Sequence, residues 1–241
     1  MDSTNKERSN HTKDKRVFYT EAAYIIGLAA LALGTAFMTV ADFGVSMIVA
    51  PAYLVHLKLS EVWSFVTFGV AEYILQFLLL VLMVAVVKQF KVSYLFSFAT
   101  AVFYGLMLDG FLWILDFGVT GGVITGIPAR IICYAIGMLF CTAGVSLMFH
   151  TYISPEVYEL FVKEVADKYH LSLAKVKTGY DCSSLLLAIV LSFLFYGFGT
   201  FVGVNVGTVI CALMNGWMIG QFTHFFEKHW EFKNGLNVKG K

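Results

Sequence analysis

The chain has 241 residues, of which 59% are hydrophobic and only 14% charged, and its net charge is +1. Soluble domains carry nearer a quarter charged residues, and a soluble fold of this size could not hide so much apolar surface, so the composition points to the lipid bilayer as the surrounding partner. The near-neutral charge gives no sign of a nucleic-acid partner.

In chain order, residues 1–19 form a polar tail of mixed charge. The apolar run that follows is too long for the core of a signal peptide and lacks a convincing cleavage site, so it reads as a retained first span. A hydrocarbon core about 30 Å thick needs roughly 20 apolar helical residues. Six stretches qualify, near 20–41, 61–87, 92–115, 126–149, 178–201 and 204–226. A seventh, 43–57, is apolar but too short to span, and it contains Pro51. It reads either as a re-entrant or interfacial segment or as a loop packed on the bundle.

The basic residues orient the spans. With the N-terminus inside, 15 of the 17 lysines and arginines fall on the cytoplasmic side, and only Lys58 and Arg130 fall outside. The positive-inside rule therefore selects six spans with both termini in the cytoplasm. The loop between spans 4 and 5 has structure of its own. Ser154-Pro155-Glu156 has the form of an N-cap, a first-turn proline and a first-turn acid. Val157, Leu160, Phe161, Val165 and Tyr169 then recur near one helical face. The reading is a cytoplasmic amphipathic helix over about 154–170, lying on the membrane or on the inner end of the bundle.

The two halves echo each other. Residues 97–105 align without gaps on 208–216, matching Ala101 with Ala212 and Gly105 with Gly216. Glu72 corresponds to Asp181, Pro51 to Pro155 and Ser60 to Ser172 at similar offsets. Each half has three spans, an odd number, so the second enters the membrane from the opposite side. The expected fold is an all-α membrane protein of two inverted three-helix repeats, 20–116 and 117–227, with a cytoplasmic tail at 228–241. Secondary transporters often use this plan, with the binding site near the midplane.

Several short segments in order resemble the YczE/YyaS/YitT group of bacterial membrane proteins, nearest to the YczE branch. They are Gly105-Leu106-Met107-Leu108-Asp109, Ile153-Ser154-Pro155-Glu156-Val157, Leu171-Ser172 with Lys175-Val176-Lys177 and Asp181, and Val206-Gly207-Thr208-Val209 followed by Gly216. Met47 stands after Gly44-Val45-Ser46 where that group often has proline. The resemblance implies a bacterial plasma-membrane protein and no particular activity.

Ionisable groups within a bilayer are costly and mark candidate sites. Glu72 lies about a dozen residues into span 2, with Gln76 one turn on along the same face. It reads as a proton or cation site, or as a protonated acid holding helices together. Asp109, one turn after Gly105, is a second acid with the same two readings. Asn215, midway along span 6, is a candidate polar liner. Asp181 and Lys177 are spaced for a boundary ion pair. Arg130 either snorkels to the interface or pairs with Asp42, Asp109 or Asp116. Gly203/Gly207 and Gly216/Gly220 have the GxxxG spacing of close helix contacts. The cysteines, Cys133, Cys141, Cys182 and Cys211, read as buried thiols. The histidines are not at metal spacing, and no HExxH, GxSxG or P-loop is present, so neither an enzyme nor a cofactor is expected. The expected function is a small secondary transporter for a proton or a small cationic solute. The alternative is a non-catalytic scaffold or accessory protein acting through its cytoplasmic helix.

Overall fold

A computed structural model describes residues 16–115, 126–153, 155–199 and 202–235. The basic residues of the first fifteen positions, Asp116, Ser154, Lys239 and Lys241 lie outside the described residues. Eight helices are described: α1 (Thr20–Ala41), α2 (Ala50–Leu59), α3 (Phe68–Val87), α4 (Ser93–Leu115), α5 (Ile127–Phe149), α6 (Val157–Tyr169), α7 (Leu173–Tyr196) and α8 (Val206–His229). All but α2 and α6 are long and apolar enough to cross a membrane. The protein is thus an all-α, multi-pass membrane protein.

The spans differ from the sequence expectation at their ends, for local reasons. Span 2 begins at Phe68 rather than near 61, because Thr67 caps it: its hydroxyl accepts from the Val70 N–H at 3.2 Å, and Glu72 therefore lies four residues into the span and not about a dozen. Span 5 runs from Leu173 and stops at Tyr196, short of 201, where Gly197 takes a φ of 91° that side-chain-bearing residues disfavour. Span 6 runs on to His229, past the expected 226. The tails also carry structure. Arg16–Tyr19 (β1) pairs in parallel with Trp230–Lys233 (β2), joining the two ends of the chain.

The centre of the molecule is the antiparallel crossing of α1 and α5, the first and fourth spans. Glycines make it close. A Cβ placed on Gly34 would lie 2.6 Å from the Gly137 carbonyl oxygen, and one on Gly137 would lie 2.8 Å from that of Gly34. Gly27 and Gly144 face each other in the same reciprocal way, at 2.9 and 2.5 Å. No larger residue fits, so the two backbones touch. Gly207 also packs tightly, against Phe43 and Tyr134. Gly216 and Gly220, expected from their spacing to mediate close contact, meet nothing within 4 Å.

Around this axis α4 packs on α1, and α8 packs on α5. The short helices enter from opposite ends. α2 rests on α7 and α3, while α6 rests on α3, α7 and α4. Charge separates the two ends. Lys58 and Arg130 lie at one; Lys88, Lys91, Lys163, Lys168, Lys228 and Lys233 lie at the other, with β1 and β2.

Candidate functional site

α6 does not lie flat. Its far end is fixed where α3 ends, by Tyr169 donating to the Val86 carbonyl at 3.2 Å. Its start is fixed by Gln76, eight residues into α3 and so about 12 Å along that helix. The helix therefore stands upright along α3, with its N-terminus near half-depth. Glu164, on the same helix, accepts from Lys91 at 2.8 Å and from the Tyr94 hydroxyl at 2.7 Å. These contacts hold its lower half to the beginning of α4.

The N-terminus of α6 carries the most unusual chemistry in the molecule. The Val157 N–H, unpaired within its helix as first-turn amides are, donates to Gln76 Oε1 at 3.2 Å. Gln76 Nε2 in turn donates to Glu156 Oε2 at 3.3 Å. The Tyr158 hydroxyl donates to Glu72 Oε2 at 2.8 Å. All four side chains are shut off from the surface: Glu72 and Gln76 are 0% exposed, Tyr158 2% and Glu156 3%. Among the described residues, Glu72 and Glu156 are the two buried acids. Each has one oxygen, Oε1, without a hydrogen-bond partner. Neither is paired with a described lysine or arginine. Burial pushes the Glu156 carboxyl well above the usual carboxylate range, and the negative charges of Glu159 and Glu72 push it further. Beside the cluster, Tyr104 donates to Thr35 at 2.9 Å, tying α4 to α1.

The other expected site residues lie elsewhere. Asp109 does not join Glu72. Its carboxylate accepts from the Thr67 hydroxyl and, at 2.8 Å, from the Gly69 N–H. It therefore caps the N-terminus of α3 from a neighbouring helix, where a negative charge is favoured. Gly69 lies so close to Gly105 that a side chain would strike its carbonyl, and this closeness lets the carboxylate reach. Asn215 is half-buried on α8, which packs on α5. Asp181 and Lys177 form the expected pair at 3.3 Å. Arg130 takes the sharper of its two readings: it bridges Asp42 at 3.0 Å and donates to the carbonyls of Ala41 and Asp42 at 2.7 and 2.6 Å. A cation there complements the C-terminal end of α1.

Sequence reasoning took Glu156 only as a first-turn acid. A usable signal was present: Pro155 corresponds to Pro51, which opens the short helix considered re-entrant in the first half. Treating both alike would have put Glu156 inside the bundle. The apolar face was also misjudged in part, since Tyr158, Val162 and Ala166 are buried while Tyr169 is exposed.

What this arrangement can do chemically is narrow. It offers two buried carboxyls, each with a free acceptor oxygen, one held by the Gln76 amide and the other by the Tyr158 phenol. Such a set holds protons, or a cation, without nearby bases. Comparison with known proteins found no match among curated proteins and none among solved structures. A family model matches residues 18–224, most of the chain. The chain therefore belongs to DUF6198, a family of unknown function.

Proposed function

We propose that the protein is a small proton- or cation-linked secondary transporter, in which Glu72 accepts the proton or cation. The observation carrying this reading is the fully buried Glu72 carboxyl, hydrogen-bonded on one oxygen by Tyr158 of a half-depth helix and open on the other. A purely structural acid would be expected to satisfy both oxygens, because an unmet buried acceptor costs about 1–3 kcal/mol. Buried ionisable residues within membrane spans commonly mark proton and ion pathways.

The architecture supports the same reading. Gly27 and Gly34 stand the same distance before Gly137 and Gly144 in sequence, so the contact of Gly27 with Gly144 has its counterpart in Gly137 with Gly34. α1 on α4 likewise corresponds to α5 on α8, and α6 on α3 to α2 on α7. Two inverted three-span repeats produce this reciprocity, with a short re-entrant helix in each. Transporters of that plan place their sites where broken helices end near mid-depth. The charge asymmetry of the two ends argues for termini in the cytoplasm. The segments that resemble the YczE group argue for a bacterial plasma membrane.

The test is flux. Protein is reconstituted into liposomes loaded with a pH-sensitive dye, and sodium, potassium or guanidinium gradients are imposed. Wild-type protein is expected to couple at least one gradient to proton movement, and Glu72→Gln to abolish it. Normal coupling in Glu72→Gln removes the assignment.

A further inference from the structure

The acid pair carries a more specific inference, which rests on the transport reading just given. We infer that Glu156, with Glu72, forms a two-carboxyl site that exchanges one proton for one monovalent cation. The two acids belong to different elements, α6 and α3, and Gln76 joins them by holding the first turn of α6. Their free oxygens, Glu72 Oε1 and Glu156 Oε1, are the unmet acceptors of the cluster.

The stoichiometry follows from charge. Among the described residues, the groups that interact electrostatically with the pair are phenols, a thiol and a further acid: Tyr24, Tyr104, Tyr158 and Tyr180, Cys141, and Glu159. Lys177 of α7 bridges Asp181 and acts on Glu159. None of these supplies a positive charge to Glu72 or Glu156. Two ionised carboxylates in such an interior would repel strongly without compensation. Two protons make the pair neutral. One proton and one monovalent cation also make it neutral, the cation sitting on the carboxylate that has released its proton. Binding the cation thus frees one proton, and rebinding that proton expels the cation. Such a pair titrates as a unit rather than as two independent acids. Because the acids sit on different helices, each exchange also changes what holds the N-terminus of α6 against α3.

The experiment uses purified full-length protein in weakly buffered detergent near neutral pH. Sodium, potassium or guanidinium chloride is added and proton release is read with an indicator dye. At least one salt is expected to release close to one proton per chain from wild type. Glu72→Gln and Glu156→Gln are each expected to lose that release. Unmutated protein is also treated with a hydrophobic carbodiimide, which adds to protonated buried carboxyls, and the modified residues are mapped by mass spectrometry. Labelling is expected at both Glu72 and Glu156, and the releasing cation should protect both. The inference is overturned, with the transport reading intact, if Glu156→Gln releases protons like wild type and the cation protects Glu72 alone. The transport reading itself falls if no cation releases protons and none moves protons in liposomes. Should Glu156→Gln fail to fold, the labelling of wild type decides between these outcomes.

Discussion

Two helix contacts of this protein are built on opposite principles. The α1–α5 crossing is made of glycines, with backbone on backbone at the reciprocal pairs Gly27/Gly144 and Gly34/Gly137. The α3–α6 contact is made of side chains that hydrogen-bond through their ends: Glu72, Gln76, Glu156 and Tyr158. A glycine crossing has one good geometry, because any shift loses close van der Waals contact along its length. A side-chain network can exchange partners at little cost if a proton or ion replaces a lost bond. The first is suited to an axis, the second to an element that responds to occupancy. The difference makes each contact testable by a substitution that the other would ignore.

The largest effect is expected at the crossing. Gly34→Ala places a Cβ against the backbone of α5, and about 1–3 kcal/mol of stability should be lost, as for other overpacked sites. Gly216→Ala adds the same methyl where nothing lies within 4 Å and should leave stability within about 0.5 kcal/mol of wild type. Thermal unfolding in detergent, followed by circular dichroism, measures both. Equal melting temperatures for the two variants would mean that the glycines of α1 do not set the crossing.

Next in size is the polar contact. Tyr158→Phe removes the donor to Glu72 and leaves both carboxyl oxygens unmet, at an expected cost of about 1–3 kcal/mol. Unlike Gly34→Ala, this loss should grow as the pH is raised above neutral, since an ionised Glu72 needs the phenol more. A pH-independent loss would show that the phenol serves packing alone.

Asp109→Ala sharpens the contrast between the two acids first grouped together. It removes the cap on α3, and a loss of about 0.5–2 kcal/mol is expected, typical of capping groups. Proton coupling in liposomes should survive, in contrast to Glu72→Gln. Loss of coupling without loss of stability would return Asp109 to the site.

The reasons for the separation of these acids say how far the sequence could be read. The spans and the two ends were legible because bilayer thickness and basic residues impose patterns on many positions at once. The buried Glu72 was legible because an acid amid aliphatic neighbours in a span is rare. Asp109 was not assigned correctly, because its partner is a helix start, Thr67 and Gly69, forty residues away in sequence. Glu156 was missed because a polar, amphipathic segment reads as surface. Its N-terminal half is instead covered by other helices, and hydrophobic periodicity cannot say what covers a face. The glycines of the crossing were invisible for a related reason: Gly27, Gly34, Gly137 and Gly144 are spaced seven apart in each helix, and only the partner helix makes that spacing meaningful.

The smallest effect is a pH dependence of α6 itself, for which its two ends have opposite signs. Glu164 loses some charge stability by burial, but Lys91 and Tyr94 outweigh this and hold its carboxyl below the usual range. Its contribution to docking is complete above the ordinary carboxylate value and is lost as pH falls through the lowered one. Glu156 is held above the usual range by burial. Its neutral form seats fully below the ordinary value, and that contribution is lost as pH rises through the raised one. The helix should therefore be held best between the two. Amide hydrogen exchange across 157–169, corrected for intrinsic pH dependence, should show the C-terminal half loosening at the acid end and the first turn loosening at the alkaline end. Lys91→Met should erase the acid limb and leave the alkaline one; Glu156→Gln should do the reverse. The glycine crossing, which carries no titrating group in its reciprocal pairs, should show neither limb. If its amides loosen in step with those of α6, the two contacts form a single cooperative unit, and the short helix cannot move while the axis stays fixed.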